Sequence, residues 1–446
     1  MARFTGADRV SELELLYGVS QTMNSQDDMR PNTVLMLLTN AYDPDPRVRQ
    51  EALALIGMGF RVRLLCWDRD CEGPETEVME GVEVERLRLP STHGRGTTQL
   101  FFYLVLYLRI LRRGLKVPFQ VVHCHDLDTL PIGFVLGKIK NKPIIYDAHE
   151  SFLEMFEGRV HPWVIRVLAG LENLMLRRLD LLITVGEKLR RFFAERGARH
   201  TAVVGNWKDL QEYTRTAEEN LDLRRRLGIP PNTIVVTCIT QLLKNRMIEE
   251  LVEAVKPYSD VYAVIAGKGE LEPQVRRWAS ENPRIIYLGF IHASAVASYT
   301  CASDVIYCGF DPSMPNFRFA APNKLFEALA AGKPLITPDI GEIGNMVRNA
   351  NCGVVMADCS VESVRSAIGA MRDRARRATW TQNAEELGRM EMNWNKGREV
   401  LYREYSRLRP DLLMMDPSMA VGAQSAPLAA CGQTSTAAPA GGTKSR

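Results

Sequence analysis

The segment AAPNKLFEALAAGKPLITPD, residues Ala320–Asp339, is the most informative part of the sequence about the fold. Pro322 stops the preceding segment, Asn323 is the expected cap of a helix, and Gly332 is the residue that ends it. The apolar residues after Gly332 predict a buried strand. A helix followed at once by a buried strand is typical of an α/β protein with a parallel sheet.

The same alternation continues in both directions from this stretch. Continuous apolar runs of strand length, separated by helical patterns, indicate parallel sheets that helices cover on both faces. The first region has predicted strands at Thr33–Leu38, Arg61–Trp67, Val121–Cys124, Pro143–Ala148 and Leu179–Val185. The second has them at Thr233–Ile239, Val261–Gly267, Arg284–Phe290, Asp304–Phe310 and Lys333–Pro338. Predicted helices begin at Arg47 and cover Ala217–Leu227, Ile248–Val255, Leu271–Ala279, Asn323–Ala331 and Trp394–Leu408.

We therefore predict an α/β protein with two Rossmann-like, doubly wound lobes that face each other across a cleft. The expected boundaries are residues 31–210 for the N-terminal lobe and 211–390 for the C-terminal lobe. A helix at 391–409 is expected to pack back toward the N-terminal lobe, and the Ala-, Ser- and Gly-rich residues 410–446 are expected to be a disordered tail. Ligands of such sheets bind at the carboxyl ends of the strands, which places the site in the cleft.

Composition excludes several classes of protein. The chain has 446 residues, of which 46% are hydrophobic and 24% charged, as in ordinary globular proteins of more than one domain. A net charge of +3 argues against a dedicated nucleic-acid binder. Nine cysteines without a CxxC pair argue against a zinc ribbon or a disulfide framework and favour a reducing cytoplasm. Residues 1–30 lack the apolar core of a signal peptide, and no apolar run reaches the ~20 residues that span a bilayer. We expect a cytoplasmic protein, soluble or peripheral.

Two charged residues near the start of the predicted helix suggest chemistry. Lys324 and Glu327 are three positions apart and so lie on one helical face. A helix N-terminus attracts phosphate, and a carboxylate can accept hydrogen bonds from ribose hydroxyls, so this arrangement suits a nucleoside diphosphate. The same spacing also fits an ordinary ion pair on the surface.

Six segments together resemble one family, the retaining glycosyltransferases of group 1 (family 4), which have the two-lobed GT-B fold. They are PNKLFEALAAGKPLI, DPRVRQEALALIGMGFRV, VVHCHDLDTLPIG, KPIIYDAHE, DLLITVGEKLRRFF and AGKGELEPQV, within roughly residues 31–405. The resemblance implies transfer of a sugar from a UDP- or GDP-sugar to a glycan or lipid-linked acceptor, in polysaccharide or glycoconjugate biosynthesis, with retention at the anomeric carbon. It implies no cofactor and no metal.

The resemblance also assigns roles to residues of the second lobe. Glu327 corresponds to the carboxylate that binds the nucleotide ribose, and Arg246 to the cation that grips the donor pyrophosphate. Lys324 is a second phosphate or sugar contact. The other expected donor-binding residues are Asn323, Gln241, Gly289, Phe290 and Ile291. Without the resemblance, Arg246 would be interpreted as a surface charge at the start of a helix.

In the first lobe, the resemblance places His149 beside the reacting sugar, as the third catalytic residue after Arg246 and Glu327. An imidazole there can bond a sugar hydroxyl or place charge near the anomeric carbon. The alternative is a histidine at a strand end that is bonded only to backbone. The expected contacts to acceptor or sugar are Asp126, Asn40, Arg47 and Glu150.

The chain departs from the family pattern at the donor site. Phe319 stands where the family has the first Glu of its motif, so we expect Asn316, Arg318 or backbone groups to hold the donor sugar. Gln241 replaces a second phosphate-binding Arg, and Met247 replaces a Gly. These changes leave two alternatives open: a catalytically weakened protein that binds nucleotide-sugars on the same fold, and a sugar-nucleotide epimerase.

Several motifs resemble metal sites, and we predict that none holds a metal. Three segments match the weak DxD pattern: Asp126-Leu127-Asp128, Asp43-Pro44-Asp45 and Asp68-Arg69-Asp70. His123 and His125 can point to the same side of a strand, but the sequence shows no third ligand at a usable spacing.

One segment suggests contact with a membrane. Leu100–Leu108 is apolar throughout, and Arg109, Arg112, Arg113 and Lys116 follow it. Residues 98–200 contain 16 Lys+Arg and 10 Asp+Glu, a net charge of +6. Residues 100–116 therefore suit an interfacial helix on anionic lipid. The alternative is a buried helix whose basic end complements its dipole.

Overall fold

The computed structural model describes residues 32–42, 45–91, 98–156 and 160–411. Strands β1 to β14 are Thr33–Leu38, Arg61–Asp68, Thr76–Met79, Val82–Arg88, Val121–His125, Ile144–Ala148, Leu181–Thr184, Thr201–Val203, Ile234–Ile239, Val261–Ala266, Ile285–Tyr287, Val305–Tyr307, Leu335–Pro338 and Gly353–Met356. Helices α1 to α14 are Pro46–Gly57, Thr98–Lys116, Leu130–Lys140, Pro162–Leu176, Glu187–Glu195, Ala217–Arg226, Ile248–Val255, Glu272–Glu281, Ala293–Cys301, Asn323–Ala330, Ile343–Asn349, Val361–Met371, Arg374–Met390 and Trp394–Leu408.

The N-terminal lobe is built on a sheet with the strand order β3-β4-β2-β1-β5-β6-β7-β8. Every pairing in it is parallel except β3 with β4. Strand β1 is buried along its whole length because β2 and β5 flank it and helices cover both faces. The chain goes from β1 to one side of it and later returns to the other, so a crevice opens at the carboxyl ends of β1 and β5.

The C-terminal lobe repeats this plan with the order β11-β10-β9-β12-β13-β14, parallel throughout. Its crevice lies at the carboxyl ends of β9 and β12. The predicted α/β fold with two doubly wound lobes is therefore confirmed. Sequence patterns did not predict the strands β3, β4, β8 and β14, because segments of three to seven residues carry too few apolar positions to show a period.

The last helix, α14, packs on the N-terminal lobe. Tyr405 and Leu401 belong to the core on that lobe's α1 face, and the Tyr405 hydroxyl lies 2.9 Å from Nδ1 of His123. Just before α14, a β-bridge pairs Asn393 with Lys208, which follows the last strand of the N-terminal lobe. The predicted disordered tail at 410–446 lies, after residue 411, outside the described residues. No helix in the part of the chain that the structure describes has the length and hydropathy needed to cross a membrane.

Candidate functional site

His149 lies at the carboxyl end of β6, where two carboxylates hold its imidazole. Nε2 is 2.8 Å from Oδ2 of Asp147, and Nδ1 is 3.1 Å from Oδ2 of Asp126. Asp126 also accepts a hydrogen bond from the backbone N–H of His149. It has a positive φ of 62°, which aspartate tolerates better than most residues, and this turn after β5 directs its carboxylate toward His149.

This clamp determines the charge of His149. Burial alone would lower the pKa of His149, but the charges of Asp126 and Asp147 outweigh it and hold the pKa well above its ordinary value. Burial likewise opposes ionisation of Asp147, yet Arg47 and His149 together hold the pKa of Asp147 well below its usual range. His149 is therefore an imidazolium at neutral pH, partly exposed to the cleft.

Arg47, which we expected to contact acceptor or sugar, lies buried behind His149 and bonds to Asp147. Its guanidinium is buried and donates to Asp147 at 2.8 Å and 2.5 Å and to the carbonyl oxygen of Val204 at 2.7 Å. It also lies 3.1 Å from Glu51. Because its donors are used inside the lobe, Arg47 fixes the orientation of Asp147 and acts on His149 through it.

Sequence spacing shows no third ligand for His123 and His125, but the fold brings two carboxylates beside them. Glu51 and Asp147, distant in sequence, place ligand atoms within 4.8 Å of those of both histidines, and all four residues are buried. Sequence spacing could not show this, because α1, β5 and β6 meet only in the folded sheet. Arg47 already supplies a positive charge between the two carboxylates. That no metal is bound here stays a prediction.

Two other predicted residues, Glu150 and Asn40, lie on loops of the same lobe. Burial and the charge of Asp126 raise the pKa of Glu150 to about 7, although His149 and Arg246 act in the opposite direction. Glu150 therefore changes charge near neutral pH and lies within electrostatic reach of the other lobe. Asn40, which is exposed, organises the loop after β1 by donating to Asp45 and accepting from the N–H of Tyr42.

In the C-terminal lobe, two cations face one aromatic ring. The guanidinium carbon of Arg246 lies 4.6 Å from the ring centre of Phe310, and Nζ of Lys324 lies 5.0 Å from it. Lys324 is buried, and neither its Nζ nor Nε of Arg246 has a hydrogen-bond partner among the described residues. Burying unpaired positive charge is costly, so this pair is arranged for an anionic ligand.

The start of helix α10 lies beside these cations. The expected cap, Asn323, is wrong: Pro322 occupies the cap position and Asn323 is the first helical residue. Its side chain instead accepts from Nζ of Lys208 at 2.8 Å, and the same Nζ is 3.8 Å from Glu327. Sequence reasoning missed Lys208, since a single lysine between two lobes has no distinguishing pattern.

The remaining donor-site residues lie on loops after β9 and β11. Gln241 is exposed, and Gly289 has a positive φ of 72°, where a Cβ would meet nothing within 4 Å. Phe290 is exposed, with Nζ of Lys268 over its ring at 4.5 Å, and Ile291 follows half-buried.

Phe319, where the family pattern has a carboxylate, belongs to a contact between the lobes. It is buried, and its ring lies 4.8 Å from that of Phe192 in α5. Arg318, which we expected near the donor sugar, pairs with Glu154 of the N-terminal lobe at 2.5 Å. The side chain of Asn316, the other expected sugar contact, lies outside the described residues.

Two family models match this chain. Residues 44–207 match the model described as a glycosyl transferase 4-like domain, and residues 233–373 match the model described as glycosyl transferases group 1. The two matches follow the two lobes in order, and together they cover most of the residues that the structure describes.

Curated and solved proteins agree with these matches. The phosphatidyl-myo-inositol mannosyltransferase of Mycobacterium leprae is 22% identical over 369 residues, 77% of this chain and 91% of that protein. Sucrose-phosphate synthase from Thermosynechococcus elongatus has a TM-score of 0.71 at 18% identity, covering 85% of this chain and 99% of that one. Anabaena HepE in complex with UDP and glucose has a TM-score of 0.63 at 18% identity, covering 84% and 100%. The solved structures share the GT-B fold.

Proposed function

Since this chain belongs to the group 1 glycosyltransferases, we propose that it transfers a sugar from a UDP- or GDP-sugar to a glycan or lipid-linked acceptor. The proposal includes retention at the anomeric carbon, no metal at the diphosphate, and a role in polysaccharide or glycoconjugate biosynthesis in the cytoplasm. A related mannosyltransferase carries a phospholipid in its name, and a solved structure of the same fold holds UDP and glucose.

The observation that carries the proposal is the pair of cations at buried Lys324 and half-buried Arg246, whose Nζ and Nε have no hydrogen-bond partner among the described residues. A nucleoside diphosphate would place its negative charge between them and the N-terminal turn of α10. As the bond to the sugar breaks, charge grows on the departing diphosphate, and fixed cations stabilise it most when water is excluded. Glu327 is proposed to bind the ribose hydroxyls.

The N-terminal lobe is proposed to act on the sugar and the acceptor. His149 places an imidazolium at the cleft edge, and both its ring nitrogens are engaged by carboxylates. Asp126, the more exposed of the two, is the partner that a sugar hydroxyl would replace at Nδ1. Glu150, with a pKa of about 7, can accept a proton from an acceptor hydroxyl.

The test is a screen of UDP-, GDP- and ADP-sugars for nucleotide release. We expect release with at least one donor, and losses of about a hundredfold or more in Glu327→Gln and His149→Ala. Glu386→Gln and His200→Ala, which change exposed residues of the same types, serve as matched controls. Release that is insensitive to both site variants would contradict the assignment of the site.

A second candidate is a protein that binds nucleotide-sugars with little or no turnover. The packing of Phe319 against Phe192 favours it, because the position of the family's sugar-binding carboxylate is closed by an apolar contact. UDP affinity without release from any donor would support this candidate over the first.

The proposal also includes contact of residues 100–116 with an anionic membrane at its inner face. Helix α2 has features of both an interfacial helix and a buried helix. Leu106 and Ile110 are buried in the lobe, whereas Phe101, Leu104 and Leu108 are exposed. The exposed side chains are available for such a contact.

A further inference from the structure

Exposed apolar side chains are concentrated on three helices of the N-terminal lobe. Of the sixteen large apolar side chains that are exposed in the described part of the chain, eleven lie on α2, α3 and α4. Helix α4 alone contributes five, among them Trp163 and Leu171, which are 59% and 52% exposed. None lies on α1 or α14, the helices of the opposite face of the same sheet. This concentration is therefore specific to one face.

The three helices lie side by side. Their inward residues belong to one core cluster, which includes Leu106 of α2 and Leu136 of α3. A Cβ at Gly114 of α2 would approach Leu136 to 2.7 Å, so α2 and α3 are in close contact. At the C-terminal ends of the helices, Nζ of Lys140 in α3 donates to the backbone carbonyl oxygen of Val117, which follows α2. Nζ of Lys138, also in α3, donates to the backbone carbonyl oxygen of Arg178, which follows α4. The outward residues therefore form one surface, which we call the apolar face.

The exposed charges that the three helices themselves carry have one sign. Helices α2 and α3 contain no Asp or Glu, and the only one in α4, Glu172, is buried and paired with Arg196 at 2.5 Å. Exposed cations lie among the apolar residues; they are Arg109, Arg112, Lys116, Lys138 and Arg166. A second copy of the chain docked face to face would bring these cations together, which opposes association. An anionic surface with an apolar interior satisfies both properties.

We propose that the apolar face binds an anionic lipid bilayer, with α4 as the main anchor and α2 and α3 beside it. Apolar side chains such as Trp163 enter the boundary between headgroups and acyl chains, and the Arg and Lys side chains contact lipid phosphates. The proposed lipid surface adds to the proposed function. It rests on that function only for the idea that the acceptor is lipid-linked. The helices begin at the edge of the sheet where His149 lies, so an acceptor in the bilayer is close to the cleft.

The test is co-sedimentation of the full chain with vesicles of phosphatidylcholine containing about 30 mol% phosphatidylglycerol. We expect binding at low salt that weakens in high salt and on pure phosphatidylcholine. Trp163→Ser/Leu171→Ser should lower the bound fraction by about tenfold or more. Leu221→Ser/Met390→Ser, which changes two exposed apolar residues of the C-terminal lobe, should leave it unchanged.

Two further measurements test the role of the basic residues and the possibility that the apolar face binds a second copy of the chain. Arg112→Gln and Lys116→Gln should each weaken binding to the anionic vesicles about fivefold. No binding at low salt would overturn the proposal. So would a dimer in light scattering that Trp163→Ser/Leu171→Ser dissolves, because the occupant would then be a second copy.

Donor turnover is measured separately, so that the two proposals fail independently. Nucleotide release without vesicles should be the same in wild type and in Trp163→Ser/Leu171→Ser, since neither residue belongs to the donor site. Vesicle binding without release from any donor would contradict the proposed function and support the lipid surface. Nucleotide release without vesicle binding would support the proposed function and contradict the lipid surface.

Discussion

The imidazole of His149 is held as a cation by two carboxylates, and this makes its pH behaviour a test of the site. Removing the charge of Asp126 should lower the pKa of His149. We expect wild-type kcat to show no alkaline limb at the ordinary pKa of a histidine, about 6.5. An acid limb near pH 7 is expected from Glu150. The variant Asp126→Asn should lose activity at a lower pH than wild type on the alkaline side. A wild-type alkaline limb at an ordinary histidine pKa would contradict the clamp.

The same raised pKa gives a signed prediction for stability. Because the folded protein binds the proton of His149 more tightly than the unfolded chain, its contribution to stability is complete below about pH 6.5 and is lost as the pH rises through the raised pKa. The difference in Tm between wild type and His149→Gln should therefore shrink at alkaline pH. Calorimetry across that range measures it, and His200→Gln, at an exposed histidine, should show no such trend.

Replacing Lys324 should change UDP affinity and thermal stability in opposite directions. Its buried, unpaired ammonium costs stability when no ligand is bound, and Met fills a similar volume without the charge. We expect Lys324→Met to raise Tm while weakening UDP affinity by about 10- to 100-fold, the value of a charged hydrogen bond. Thermal unfolding and titration calorimetry give the two readings. Lys244→Gln, an exposed neighbour of Arg246, should change neither by much, and a lower Tm in Lys324→Met would contradict an unpaired charge.

The loop after β10 is positioned by a contact that only glycine permits. Gly267 has a φ of 141°, and a Cβ there would lie 1.8 Å from the carbonyl oxygen of Thr240 in the donor-site loop after β9. We expect Gly267→Ala to cost about 3 kcal/mol or more, measured by urea unfolding. Gly228→Ala is the matched control: its φ is also positive, at 69°, but nothing lies within 4 Å, so the cost should be about 1 kcal/mol.

Helices and strands with a clear apolar period were predictable from sequence, and contacts between them were not. The bounds predicted for α7 and α14 are those observed, because each carries a complete apolar face. The role of Arg47 was not predictable, since its partner Asp147 is a hundred positions away and only the pairing of strands brings them together. For the same reason Lys208 could not be placed beside Asn323. Sequence motifs identified candidate residues at strand ends. Which of these residues contact one another depends on how the strands pair in the sheet.

The two lobes are joined by Lys208 beside the proposed donor site and also by contacts that lie outside it. The carboxylate of Glu342, in the C-terminal lobe, accepts from the backbone N–H of Lys188 at the start of α5. Gly186 caps that helix without a side chain, so Glu342 supplies the missing acceptor from the other lobe. The rings of Phe319 and Phe192 add an apolar contact. The proposed catalysis needs both lobes, because His149 belongs to one lobe and Arg246 to the other.

Weakening these contacts should separate donor binding from turnover. In Phe319→Ser/Glu342→Ala we expect a larger radius of gyration by X-ray scattering without nucleotide, because the lobes lose an apolar and a polar contact. UDP affinity should stay within about twofold, since the donor cations lie in one lobe, while kcat should fall about tenfold as closure becomes less favourable. The matched control is Leu221→Ser/Glu362→Ala, which changes an exposed apolar residue and a carboxylate paired with Arg365 of the same lobe. A loss of UDP affinity as large as the loss of kcat would show that these contacts contribute to donor binding. It would contradict the view that they act only on closure of the lobes.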